Sequence, residues 1–260
     1  MGQMSASSLV YRALTALEEL LYAHADRIVV MAPGTETDLV ARGVPREKIV
    51  YIPNAADPED FVPTASRQDL RARYEFKRPT AVYAGAHGPA NGLDLLLKAA
   101  EEVADLGIDV VLVGSGVMKR SLQSGAIERN LENVRFLDPV PKAEIVDILH
   151  AADLGLHVLA DVELFRSAVS PNKLFDYMAA GLPVITNSPG LVGDWVDRAG
   201  CGWSVEPDKL ADAFRCFAAE SEAGRAERGR SGQVWLRRNQ SRSAMAQRLS
   251  DMFSEVMPHG

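Results

Sequence analysis

The chain has 260 residues, 47% apolar and 24% charged, enough for one large domain or two small ones of ordinary globular composition. Its net charge of -7 excludes the basic face of a general nucleic-acid binder, while leaving room for a local cationic pocket. The two cysteines, Cys201 and Cys216, lack metal-type spacing and exclude a disulfide framework, which predicts reduced thiols in a cytoplasmic protein.

Residues 8–24 place Leu9, Val10, Leu14, Leu17, Leu20 and Leu21 at helical spacing and predict an amphipathic helix. The apolar run 27–31 predicts a buried strand, broken by Pro33-Gly34. Thr35 is placed to cap a helix reaching about Arg42, where Gly43 stops it. Residues 48–52 predict a second strand, ended by Pro53-Asn54. Pro53, Pro58, Pro63 and Pro79 surround a short basic helix near 70–74, a composition that suits a linker.

From Thr80 the alternation is regular. Strands are predicted over 80–83, 109–113, 134–137, 154–159, 183–186 and 202–205, and helices over 93–106, 119–128, 143–151, 173–180, 190–197 and 210–219. A final helix follows Trp235, over 243–256. Strands alternating with helices imply right-handed crossovers and a mostly parallel sheet. The strands are apolar runs without alternation, as expected when helices cover both faces. The fold class is therefore α/β, a Rossmann-like parallel sheet with helices on both faces. No uninterrupted run of about 18 apolar residues predicts a membrane span, and no basic segment before an apolar core predicts a secretory leader. Peripheral contact with a membrane stays open.

In an open parallel sheet, ligands sit beyond the C-terminal ends of the strands, and three distinctive loops fall there. The first is Gly85-Ala86-His87-Gly88-Pro89-Ala90-Asn91-Gly92, directly before a helix. Its glycines allow close approach of a phosphate to backbone N–H groups and to the positive end of the helix dipole, or they make a plain tight turn. His87 stays open between a donor to a phosphate or leaving-group oxygen and a partly exposed loop histidine. The second loop, Gly114-Ser115-Gly116, is a close-approach turn or a simple strand-to-helix turn.

The third is Ser170-Pro171-Asn172-Lys173, running into Asp176. Ser170 is placed as an N-cap and Pro171 as the first helical residue. Lys173 in the first turn opposes the helix dipole, which makes sense where an anion binds. Asp176 lies on the face of Asn172 and Lys173, where a carboxylate can accept hydrogen bonds from two ribose hydroxyls. The bland alternative is an exposed Lys173–Asp176 pair. Asp161-Val162-Glu163 is the nearest thing to a metal-binding acidic motif and reads as a solvated loop.

These motifs, in this order, resemble glycosyltransferases of the group 1 type, family 4, with a GT-B fold. The matching stretches are Ala25-Asp26-Arg27-Ile28-Val29-Val30, the segment 48–57 ending in Pro53-Asn54-Ala55-Ala56-Asp57, Val113-Gly114-Ser115-Gly116, Asn133-Val134-Arg135-Phe136-Leu137 and Asp176-Tyr177-Met178-Ala179-Ala180-Gly181-Leu182-Pro183-Val184-Ile185. The resemblance implies that Asp176 binds ribose and that Pro139 and Val140 pack against the nucleotide base. It implies that Gly85, Gly88, Asn91, Gly114, Ser115, Ser170, Pro171 and Asn172 form the donor site, with His87 and Lys173 in catalysis.

Three positions depart from the family: Ala86 and Asn91 stand where an arginine and a lysine are usual, and Ala168 stands where the first of two glutamates is usual. This version is similar to bacterial enzymes that transfer amino-sugars in capsule, O-antigen or colanic-acid assembly. There Lys173 would replace the missing cations, and Arg166, Glu163 or amides near Val169 would hold the sugar.

By the same resemblance, residues 1–60 are a short remnant of the acceptor-side domain and 61–78 a linker. Residues 79–236 are the nucleotide-sugar-binding domain and 237–260 a crossing helix. The implied activity is retaining, metal-independent transfer from a nucleoside-diphosphate sugar to a lipid-linked or saccharide acceptor, without cofactor, at the cytoplasmic side of a membrane. The alternative is a non-catalytic sugar-nucleotide-binding module that self-associates or takes a partner subunit through residues 1–60. A sugar-nucleotide epimerase fits less well, since only His87 and His157 are placed for its acid–base chemistry.

Overall fold

The computed structural model describes residues 8–257, so residues 1–7 of the expected first unit and 258–260 of the last lie outside it. The first unit begins with α1 (Leu9–His24), whose N-cap Ser8 accepts from the Tyr11 N–H. Two short parallel strands follow, β1 (Ile28–Val30) and β2 (Ile49–Tyr51), joined across α2 (Pro33–Ala41). Pro33-Gly34 starts this helix instead of breaking the chain, because proline is tolerated in a first helical turn. The Gly34 N–H donates to the Ser167 carbonyl at 3.0 Å, which fixes the helix start against the larger body. Val30, Leu39 and Val44 make a small core, and α1 buries no residue.

Residues 61–78 do not behave as a loose linker. Phe61, Leu70 and Phe76 are buried in the main core, and α3 (Arg67–Arg73) packs on α6 (Lys142–Ala151). Asp147 of α6 is almost fully buried and accepts from the Thr64 N–H at 2.7 Å, from its hydroxyl, and from Arg73 at 3.1 Å. These hydrogen bonds outweigh desolvation and hold its carboxyl below the usual range.

The larger body is a six-stranded parallel sheet of β3 (Thr80–Ala84), β4 (Asp109–Val113), β5 (Val134–Leu137), β6 (Leu154–His157), β7 (Val184–Thr186) and β8 (Gly202–Ser204). The order is β5-β4-β3-β6-β7-β8. Successive side chains alternate between two cores: Val82, Val111 and Val113 face one, and Ala81, Tyr83, Val110 and Leu112 the other. One layer holds α4 (Leu93–Glu102), α5 (Lys119–Glu128) and α9 (Leu210–Ala219); the other holds α6, α7 (Asn172–Ala179), α8 (Leu191–Ala199) and α10 (Glu222–Asn239).

The helix α10 has no counterpart in the sequence prediction, because its surface is polar and arginine-rich with almost no apolar stripe. It seats through Gly229, where a side chain would overlap the Gly181 carbonyl oxygen. The last helix, α11 (Arg242–Val256), is tied back to the first unit by bonds of Arg242 to Asp57 and Asp60 and of the Ala56 N–H to the Gln240 carbonyl.

Candidate functional site

The chain runs outward from β3 to β5, then returns to build β6 to β8 on the other side of β3. That reversal opens a crevice at the C-terminal ends of β3 and β6, where open α/β sheets bind ligands. The loops after β3 and β4 interlock over it. The Gly85 N–H donates to Val113, the His87 N–H to the Ser115 carbonyl at 2.7 Å, and the Met118 N–H to the His87 carbonyl. Only glycine fits at Gly114 and Gly116, since a Cβ would overlap the Gly85 and His87 carbonyl oxygens respectively. Lys119 locks the turn by donating to the Gly114 and Leu137 carbonyls and to Asp138, at 2.8–2.9 Å.

The His87 ring points inward with no exposed surface, between Tyr83 and Phe136, and neither ring nitrogen has a partner among the described residues. Burial, with a smaller push from Lys119, holds its pKa below that of a free imidazole. The ring is therefore not the partly exposed loop histidine that the sequence also allowed. Gly88 instead opens the short turn Pro89–Asn91, which carries the Asn91 side chain across to α7.

Lys173 meets that turn. Its Nζ donates to Asn91 Oδ1 at 3.0 Å and lies 4.8 Å from the centre of the Tyr83 ring. Burial pulls the ammonium down to about 8. It has no contact with Asp176, so the simple lysine–aspartate pair does not form. Asp176 instead faces Lys142 at 3.5 Å, its side chain 26% exposed. Burial raises its pKa, and Lys142 and Arg242 partly oppose the rise. Lys142 follows the loop of Pro139 and Val140, so the ion pair joins that loop to α7.

Ser170 is not the helix cap. Pro171 takes that position and Asn172 begins the helix, with an exposed side chain. The Ser170 hydroxyl accepts from the Asn54 N–H at 3.0 Å, and its carbonyl accepts from the Asn54 side chain. The hydroxyl thus ties the loop before α7 to the end of the first unit. Arg166 is drawn elsewhere, between Asp161, Glu163 and Glu206 at 3.3–3.5 Å.

The structure thus gathers Gly85, Gly88, Asn91, Gly114, Ser115 and Lys173 around one crevice. Asp176 lies a helical turn away beside the Pro139–Val140 loop, and Arg166 is paired with Asp161, Glu163 and Glu206. Sequence reasoning missed Tyr83, Lys119, Lys142 and Asn54, each of which has at least one partner well beyond the next turn of chain, in Lys173, Leu137, Asp176 and Ser170 respectively. Buried His157 donates to or accepts from Thr186 at 3.0 Å, and burial, aided by the charge of Lys173, lowers its pKa to about 3. Among the described residues, no group of three or more His, Cys, Asp or Glu is arranged to hold a metal ion, and no helix is long and apolar enough to cross a membrane.

A family model for glycosyl transferases group 1 matches residues 78–220, and one for a glycosyl transferase 4-like domain matches residues 2–55. The probable glycosyltransferase WbjE of Pseudomonas aeruginosa is 26% identical over 213 residues, 80% of this chain and 52% of that protein. The putative colanic acid biosynthesis glycosyl transferase WcaI of Escherichia coli is 25% identical over 171 residues, 64% of this chain and 42% of that protein. The chain thus spans about half the length of these relatives.

Among solved structures, Anabaena Alr3699/HepE in complex with UDP and glucose superposes with a TM-score of 0.80 at 18% identity, covering 94% of this chain and 67% of that one. WaaG, a glycosyltransferase involved in lipopolysaccharide biosynthesis, gives 0.78 at 16% identity, covering 97% and 70%. The six-stranded parallel sheet with helices on both sides is the arrangement of GT-B glycosyltransferases. With more than half of its length matched by the family model, the chain belongs to the glycosyl transferases group 1 family.

Proposed function

We propose that the chain is the donor-binding part of a glycosyltransferase. It takes a nucleoside-diphosphate sugar in the crevice between β3 and β6 and transfers the sugar with retention of anomeric configuration. The observation that carries this reading is the position of Lys173: a half-buried ammonium at the N-terminus of α7, facing the glycine turn, where cation and helix dipole both favour an anion. Diphosphate oxygens would replace Asn91 as its partner. The charge that develops as the sugar departs would be met by Lys173 and by loop amides in place before reaction.

Asp176 would hold the ribose hydroxyls, with Lys142 moving aside or bridging to the nearer phosphate. The Pro139–Val140 loop would lie along the base. A phosphate oxygen of the departing group would take the acceptor proton on the same face, so no protein nucleophile is required. Transfer would need no metal and no cofactor, because Lys173 supplies the counter-charge. His87 would act through the loop it fills. The acceptor would be a lipid-linked or saccharide intermediate of cell-surface polysaccharide synthesis at the cytoplasmic face of a membrane; relatives named for colanic acid and amylovoran biosynthesis support the polysaccharide part of that reading.

Isothermal titration with UDP and GDP, without metal, tests the reading. Micromolar binding of one nucleotide, lost in Lys173→Ala and Asp176→Ala, is the expected result. Absence of binding to either nucleotide would overturn it.

A second reading is favoured by α1. Leu9, Leu14, Leu17, Leu20 and Leu21 are all more than half exposed, and the two-stranded parallel sheet behind them is uncovered at Val29 and Met31. A parallel pair is stable only when covered. The chain would then bind sugar nucleotide and pair this face with a second copy or a partner subunit. A monomer by light scattering at every concentration counts against self-association.

A further inference from the structure

At the opposite end of the sheet, where β3, β6 and β7 begin, lies a cavity of about 460 Å³. Pro79, Asp153 and Pro183 form its floor, and α3 and α10 form two of its walls. In a chain of net charge -7, five cationic side chains line it against two carboxylates, Asp153 and Glu222. Arg67 and Arg71 share Asp153 at 2.5 and 2.8 Å, and Arg78 pairs with Asp109 outside the cavity. Lys77 and Arg225 have no carboxylate partner among the described residues.

Arg225 is held there by α10. Arg225, Gly229 and Gln233 recur every four residues on one helix face. Gly229 allows contact with the Gly181 carbonyl, and Gln233 donates to the Ala179 carbonyl at 3.0 Å. The guanidinium stacks on Phe217 at 4.6 Å, and its Nε is buried without a hydrogen-bond partner. An unmatched guanidinium donor is costly to bury, and a phosphate oxygen is the acceptor whose charge and geometry it suits best.

We propose that this cavity is a second anion site, separate from the crevice, which takes a small molecule bearing a diphosphate group with Lys77 and Arg225 as its charged contacts. Two uncommitted cations match two phosphates. The volume lies in the range of small-molecule sites and exceeds what a single ion fills. The site does not depend on the donor reading, since it shares no residue with the crevice.

Titration of the full chain with inorganic pyrophosphate tests it, using Lys173→Ala to silence the crevice. The expected result is about one pyrophosphate per chain in Lys173→Ala. Adding Lys77→Glu should weaken binding at least tenfold, with circular dichroism and thermal midpoint unchanged because Lys77 is exposed. Arg225→Lys should retain binding and Arg225→Gln should weaken it. Loss of all binding in Lys173→Ala, or unchanged affinity after Lys77→Glu, would overturn the proposal. Sedimentation with phosphatidylcholine vesicles carrying CDP-diacylglycerol, competed by pyrophosphate, would assign the diphosphate to a lipid; pyrophosphate binding without sedimentation would assign it to a soluble ligand.

Discussion

Lys173 Nζ and Asn91 Oδ1 are 3.0 Å apart, joining the first turn of α7 to the loop after β3 across 82 positions of sequence. This contact holds a buried positive charge at the positive end of a helix, an arrangement that disfavours the ammonium until an anion arrives.

Donor affinity should therefore fall as pH rises through about 8, where the free protein's Lys173 loses its proton. Titration with UDP between pH 7 and 9 should show the loss, and Lys173→Arg should flatten the profile. Stability should move the other way. The folded pKa lies below the unfolded value of about 10.4, so the unfolded chain binds the extra proton and stability rises between about pH 8 and 10. A urea midpoint that does not rise over that window in the wild type would contradict the assignment.

Asp176 is proposed to read ribose. Asp176→Asn should lower affinity for the preferred nucleotide by about tenfold, a loss of one or two hydrogen bonds to a charged group. The same variant should lose discrimination against the 2′-deoxynucleotide. Equal affinities of the wild type for ribo- and deoxynucleotide would remove the carboxylate from that role.

The buried imidazoles make the fold acid-sensitive. His157, at about 3, stays neutral in the folded state while the unfolded chain protonates near 6.5, and His87, lowered by burial, acts in the same direction. Their stabilisation is complete above about 6.5 and is lost as pH falls below it. For His157 the loss between pH 6.5 and 5 is about 2 kcal/mol. Urea unfolding at the two pH values should show a smaller acid loss in His157→Asn.

Asp147→Ala should cost about 1–2 kcal/mol in chemical denaturation, because it removes the hydrogen bonds that the buried carboxylate accepts from the Thr64 N–H and hydroxyl and from Arg73. The effect should appear in global unfolding, since residues 61–78 are part of the main core. A change below about 0.5 kcal/mol would mean that α3 detaches independently.

The strands and most helices were legible because their apolar runs and glycine stops are local signals. The helix α10 was not, since what seats it is Gly229 meeting Gly181, a contact between distant backbones. Ser170 and Pro171 show a similar limit: their cap-like pattern is real, but Asn54, more than a hundred positions away, claims the serine. Lys173 was legible as a cation on the wrong end of a helix. Its partner was not: the sequence offered Asp176, one turn away, and the fold supplies Asn91. His87 was marked by its glycine neighbours, yet only the closeness of Tyr83 and Phe136 reveals that its ring turns inward.

The order of the sheet, with β3 and β6 side by side, has a consequence for how the chain acquires its site. The crevice waits for a strand made late to join one made early, with β4, β5 and three helices threaded between them. Loop closure over such a span is slow and cannot be completed while β6 and α7 are still in the ribosomal exit tunnel. A nascent chain released before Leu154 would already hold β3, β4 and β5 but no crevice, so nucleotide capture would report that synthesis has passed the sheet's midpoint.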